Sequence, residues 1–155
     1  MVYLLITCVV FITDLLIKYF VDRKYARKVR HPRLGGRIIL EKYYNDGAAL
    51  NLLEKRPKLM RLLHSAALVI VGVFSYFLMR TSGRPLEKTG VALLLGGGLS
   101  NLYDRYTKGH VVDYFHINIG PKRLRNIIFN ISDFCVFIGA LLAVAGAETA
   151  QRHMQ

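Results

Sequence analysis

Residues 109–133 read GHVVDYFHINIGPKRLRNIIFNISD. One acid, Asp113, ends a short apolar run. A second, Asp133, stands near the start of the next hydrophobic segment, in FNISDFCVFIG. A carboxylate inside an apolar span is costly unless it is paired, hydrated or neutral. Between the two acids, Asn118, Gly120 and Pro121 supply turn chemistry. The chain can therefore leave the extension of one helix and come back beside the next. On this reading the two carboxylates meet at one end of a bundle and share a proton.

The rest of the chain fits a bundle in a membrane. It has 155 residues, enough for one domain, and 53% of them are hydrophobic. They come in long blocks, the pattern of membrane spans rather than of a soluble core. The first block, residues 2–21, can cross about 30 Å of hydrocarbon as a helix. With no basic n-region and no small-residue cleavage site, it reads as a resident helix and not as a cleavable signal peptide. Residues 62–79 carry no Lys, Arg, Asp or Glu and include small residues that suit helix packing. Residues 89–103 are short for a span and contain Gly96, Gly97 and Gly98, which permit close helix approach and weaken the helix locally. Residues 127–147 form the fourth block. The expected fold is an all-α integral membrane protein with four transmembrane helices, one domain over residues 1–155, and both termini on one side. A small β/α cap is expected over residues 22–61. In it, residues 38–40 read as a strand, Asn45-Asp46-Gly47 as a turn, and residues 48–53 as a short interfacial helix ending near Pro57.

Charge and cysteine usage narrow the partners. The formal net charge is +12 and the pI is about 10.0. In a membrane protein that balance suits anionic phospholipid headgroups. No nucleic-acid motif accompanies it, so nucleic acid is not an expected partner. Cys8 and Cys135 both lie within hydrophobic blocks, which argues against a structural disulfide. No Cys/His cluster has metal-ligand spacing.

Two carboxylates within hydrogen-bonding distance do not both ionise readily, so one keeps a proton. The ionised member can draw a proton from water as that water attacks a carbonyl. The protonated member can polarise the carbonyl and then help protonate the leaving amine. Asp113 and Asp133 are the candidates, titrating as a pair. Asn45, Asn101, Asn130, Asp104 and Arg105 are candidates for a supporting shell, because an amide can hold a carboxylate or a peptide backbone and Arg105 can pair with an acid such as Asp104 or Asp14. Asp14 and Lys18 lie four apart on one helix face, which fits either a helix-locking ion pair or a place in the site. From spacing alone, a small ion-coupled transporter using Asp14, Lys18 and Asp133 remains open, as does a basic adaptor binding anionic lipid.

Five motifs, in order, carry a resemblance that spans most of the chain. They are Asp14-Leu-Leu-Ile-Lys18; Asn45-x-Gly47-Ala48; Gly96-Gly97 followed by Asn101 and Asp104-Arg105; Gly109-x-Val-Val-Asp113; and Phe129-Asn130-x-Ser132-Asp133. Together they resemble signal peptidase II, the lipoprotein signal peptidase family. The chain departs from the family at small or apolar positions. Ile17 stands where the family has Thr or Ser, Ser100 where it has Gly, Tyr114 where it has Phe, and Ser132 where it prefers Ala. The resemblance implies an aspartyl endopeptidase in the bacterial cytoplasmic (inner) membrane, with a dyad at Asp113 and Asp133. Residues matching Asp14, Lys18, Asn45, Gly47, Asn101, Asp104, Arg105 and Asn130 would orient the dyad or contact substrate. The implied substrate is a prolipoprotein carrying a diacylglyceryl-modified cysteine, cut at the extracytoplasmic face. No metal or organic cofactor is implied, and globomycin, a cyclic peptide, is the implied inhibitor. One count runs against that orientation. Loops one and three carry twelve and five Lys/Arg, against four in loop two and the tail together, and basic loops normally stay in the cytoplasm.

Overall fold

The structure is a computed structural model of the chain, and it describes residues 1–47, 53–121, 125 and 127–152. Four long helices run in order: α1 (Val2–Lys24), α2 (Pro57–Met79), α3 (Pro85–Thr107) and α4 (Ile131–Arg152). Between α1 and α2 come β1 (His31–Arg33), a short 3₁₀ turn at Leu34–Gly36 and β2 (Ile38–Asn45), and β3 (Val111–Ile117) lies between α3 and α4. The expected interfacial helix over residues 48–53 falls mostly on residues 48–52, outside those described.

The starts of α2, α3 and α4 differ from the sequence reading, and a residue at each N-terminus explains the shift. Pro57 and Pro85 begin α2 and α3, earlier than residues 62 and 89. Proline suits the first helical turn, where its missing N–H would have no partner anyway. Pro57 therefore starts a helix and does not end one. Residues 86–88 fall before the expected span of residues 89–103 but belong to α3, which accommodates their charges. Arg84 Nη1 lies 3.3 Å from Glu87 Oε2, and Lys88 Nζ donates to the Thr81 carbonyl at 2.6 Å. At the other end, residues 127–130 precede α4, and Asn130 caps it.

α1, α2 and α4 are long and apolar enough to cross a membrane. Their outward faces are large hydrophobics left exposed, among them Leu5, Leu16, Ile70, Phe77, Phe137 and Leu141. α3 is the reverse: it is buried by its neighbours and carries Glu87, Lys88, Asn101, Asp104 and Arg105 on its covered surface. That is the arrangement a low-dielectric surrounding demands, with apolar groups outward and ionisable groups turned to the interior.

Three consecutive glycines let α3 sit at the centre. Successive residues on a helix point about 100° apart, so each glycine meets a different neighbour. A Cβ on Gly96 would lie 2.8 Å from the Thr7 carbonyl of α1, one on Gly97 2.5 Å from the Ser132 carbonyl of α4, and one on Gly98 2.6 Å from Leu68 of α2. Gly97→Ala is the informative change, because the obstructing atom is backbone at the first turn of α4. The added methyl should push that turn away, destabilise the protein by about 1–3 kcal/mol through overpacking, and lower turnover with it. Thermal unfolding and activity in detergent, measured on the same preparation, check both.

The cap is a three-stranded antiparallel sheet in the order β1-β2-β3. β3 was not foreseen: Asp113 lies on a strand, not on an extension of α3. Between β2 and β3 the pairing Leu40↔Phe115 gives way to Tyr43↔Asp113, so β2 holds one extra residue there. Such a bulge re-aims the side chains beyond it. After the shift Asn45 pairs with Val111, which sets Asn45 and Asp113 diagonally on one face of the sheet. Phe129 then pairs with Phe115 in an isolated antiparallel bridge, with Phe129 N–H donating to the Phe115 carbonyl at 2.8 Å. That bridge returns the chain beside β3 and delivers Asn130 next to Asp113.

Candidate active site

The site forms where β3 meets the first turn of α4. Asn130 precedes Ile131 and is the N-cap, so Asp133 is the third residue of the helix. Asp133 N–H donates to Asn130 Oδ1 at 2.9 Å, and Asn130 N–H donates to Asp133 Oδ2 at 3.0 Å. This is a reciprocal capping box, in which two backbone donors with no helical partner are satisfied by side chains. The same exchange fixes the Asp133 carboxylate at the positive end of the helix dipole.

Asn130 also reaches the other acid. Its Nδ2 donates to Asp113 Oδ1 at 2.7 Å and to Asn101 Oδ1 at 3.1 Å. One residue therefore binds both carboxylates. Asn45 Nδ2 donates to Asp113 Oδ2 at 2.9 Å, while Asn45 Oδ1 accepts from the Gly47 N–H at 3.0 Å. Asn45 thus serves as a turn residue and as a ligand of the acid at once. Asn101 Nδ2 donates to Asp133 Oδ1 at 2.9 Å. Each carboxylate receives a donor on both oxygens.

Asp113 is 1% exposed. Burial, and after it the like charge of Asp133, push its carboxyl up to about 7, against hydrogen bonds from Asn45 and Asn130 that favour ionisation. The pair therefore retains a proton near neutrality.

Behind the amides lies a charged layer. Lys18 Nζ is 2.7 Å from Asp14 Oδ2, and neither residue is exposed. Lys18 Nζ also donates to Asn101 Oδ1 at 2.7 Å and to Ser100 Oγ at 3.0 Å. An ammonium has only donors to offer, so it holds the Asn101 oxygen toward itself and turns the amide nitrogen to Asp133. Asp104 Oδ2 accepts the Val112 N–H at 3.1 Å, and Asp104 Oδ1 lies 3.0 Å from Lys108 Nζ. Asp104 thereby ties the end of α3 to the residue before Asp113.

Arg105 behaves differently from the sequence reading. Among the described residues it forms no ion pair with Asp104 or Asp14. Its Nη2 donates instead to the Gly47 carbonyl, which clamps the Asn45 turn, and its buried Nε–H has no partner among the described residues. Gly47 is thus engaged at both its N–H and its carbonyl; Ala48 lies outside the described residues. Three hydroxyls that sequence reasoning treated only as departures, Ser100, Tyr114 and Ser132, all reach Asp14. Their one sequence signal was position, each being adjacent to a candidate site residue. Cys8 and Cys135 are free thiols.

A family model described as signal peptidase (SPase) II matches residues 6–147. A lipoprotein signal peptidase from Lactiplantibacillus plantarum is 30% identical over 145 residues, covering 94% of this chain and 93% of that protein. One from Paraburkholderia phytofirmans is 32% identical over 140 residues, covering 90% and 80%. A solved structure described as a bacterial membrane enzyme superposes with a TM-score of 0.86 at 23% identity, covering 99% of this chain and 92% of that one. A second with the same description gives a TM-score of 0.79 at 25% identity, covering 94% and 92%.

Proposed function

The chain belongs to the signal peptidase II family, and from that premise we propose that it removes the signal peptide of diacylglyceryl-modified prolipoproteins with a water activated between Asp113 and Asp133. The family makes it an aspartic-type lipoprotein signal peptidase and an integral membrane protein; the dyad, the lipid requirement and the orientation are the proposal. The observation that carries it is Asn130, which binds both carboxylates and holds them together at the rim of the bundle. A transport site would sit near the bilayer midplane and would have no need of Asp113 on a cap strand.

In this reading one member of the dyad is ionised and takes a proton from water, which attacks the scissile carbonyl. The other is protonated and polarises that carbonyl, then passes a proton toward the departing amine. Asn45, Asn101 and Asn130 hold the four carboxylate oxygens in place, so little reorganisation accompanies the reaction. A substrate anchored by acyl chains keeps its cleavage point at the membrane surface, each buried CH₂ contributing about 0.8 kcal/mol. Affinity then comes largely from lipid, and surrounding phospholipid is part of the site's environment. Globomycin-type cyclic peptides would compete there.

All four helices cross the bilayer in this account, α3 doing so inside a sleeve of the other three. The cap lies outside the cytoplasmic membrane, against the Lys/Arg count. Lys28, exposed on the cap, tests the orientation. A Lys28→Cys variant should react with a membrane-impermeant maleimide in intact cells. Reaction only after the membrane is opened reverses the orientation.

The activity test is a gel shift of purified prolipoprotein. The diacylglyceryl-modified precursor should be cut and the unmodified precursor left whole; equal cutting of both removes the lipid requirement. Because the dyad must keep one proton, and loses it as pH rises through about 7, kcat should fall on the alkaline side of neutrality. A rate that stays flat far into the alkaline range contradicts this.

A further inference from the structure

Asp14 collects three hydroxyls. Ser100 Oγ donates to its Oδ2 at 2.6 Å, Ser132 Oγ donates to the same oxygen, and Tyr114 OH donates to Oδ1 at 2.9 Å. Each hydroxyl is the immediate chain neighbour of a residue at the dyad: Ser100 of Asn101, Tyr114 of Asp113, Ser132 of Asp133. They come from three different elements, α3, β3 and α4, and converge on a fourth, α1. Tyr114 does more, because its oxygen also accepts the Ile131 N–H at 2.9 Å. That N–H belongs to the first residue of α4 and has no helical partner of its own. The strand bearing Asp113 and the helix bearing Asp133 are thus joined through one phenol to the Asp14–Lys18 pair.

Ile17 packs against the cluster of Val21, Val112 and Tyr114 beside this hub. We propose that Ser100, Tyr114 and Ser132 are positioning residues that hold the dyad in register through Asp14. None of them touches substrate. They fix where Asp14 and Lys18 stand, Lys18 fixes the Asn101 amide, and Asn101 and the α4 cap fix Asp133. Hydrogen bonds to an ionised group are among the stronger ones, and bonds sharing one acceptor act as a unit.

The inference rests on the proposed peptidase reaction. The test is steady-state cleavage of lipidated precursor by Ser100→Ala, Tyr114→Phe, Ser132→Ala and the triple variant, with thermal unfolding followed in parallel. Each single change should lower kcat about tenfold, the scale of one charge-assisted bond, with KM held within about twofold. The triple change should depart from the product of the singles, as coupled sites do. A merely structural role would lower the unfolding temperature and leave kcat of the folded fraction intact, and that result overturns the proposal. So does a rise in KM at constant kcat, which would mark substrate contact. Tyr114→Phe removes one oxygen and no packing volume, so it decides the question should the triple variant fail to insert. Wild-type cleavage abolished by Asp113→Asn alongside unchanged hydroxyl variants would leave the peptidase reading standing and remove only this one.

Discussion

Asp113→Asn and Asp133→Asn should each abolish cleavage of a lipidated precursor, by at least about a thousandfold in kcat, while the protein stays folded and inserted. The expectation follows from the exchange that the dyad performs. An amide keeps the shape of the carboxyl but can neither take a proton from water nor give one to the leaving amine. Stability should not follow activity. Each acid accepts donors on both oxygens, so the amide strands one of them. Against that, it removes the like-charge repulsion of a buried pair. The two terms oppose, and the unfolding temperature should change little. The measurement is gel-shift turnover beside thermal unfolding in the same detergent. A transporter or a lipid-binding adaptor predicts no cleavage by the wild type at all.

Asn130→Ala should be nearly as damaging to turnover and should also reach stability. It deletes the Oδ1 that caps α4, a loss of about 1 kcal/mol. It deletes the Nδ2 donors to Asp113 and Asn101 as well. What remains between the acids is the backbone N–H of residue 130, which still binds Asp133 alone. With Asp113 no longer tied to α4, the reacting groups are free to drift, and a misplacement of about 1 Å costs on the order of a hundredfold. The expected result is kcat down about a hundredfold with a modest drop in unfolding temperature. A large drop in unfolding temperature with normal kcat would assign Asn130 to the helix cap only.

Much of the candidate site was legible because polar groups inside apolar sequence are hard to overlook. Asp14, Lys18, Asn101, Asp104, Asp113, Asn130 and Asp133 all interrupt or border hydrophobic runs, and the structure gathers them at one end of the bundle. The spacing of Asp14 and Lys18 led to their ion pair. What stayed hidden depends on tertiary contact. Val111–Ile117 looks like an apolar extension of α3 until β2 is there to pair with it. Glu87 and Lys88 lie outside the expected span of residues 89–103 until Glu87 packs against Gly146 of α4 and Lys88 finds the Thr81 carbonyl. Arg105 was expected to seek an acid, yet the carbonyl of Gly47, fifty-eight residues away in sequence, lies nearer its fork. The hydroxyls of Ser100, Tyr114 and Ser132 acquire meaning only when three separate elements close around Asp14.

The claim on which the rest depends is that Asp113 and Asp133 hold one proton between them near neutral pH. Infrared difference spectroscopy across a pH titration reads it directly, through the carbonyl band of a protonated carboxylic acid in the purified protein. The account predicts one such band, present at slightly acid pH and vanishing as pH rises through about 7; it should be missing in Asp113→Asn and should vanish at lower pH in Asp133→Asn, where burial still raises the Asp113 carboxyl but the like charge is gone. A spectrum with no protonated carboxyl in that range, or with a band that both variants leave unchanged, would contradict it.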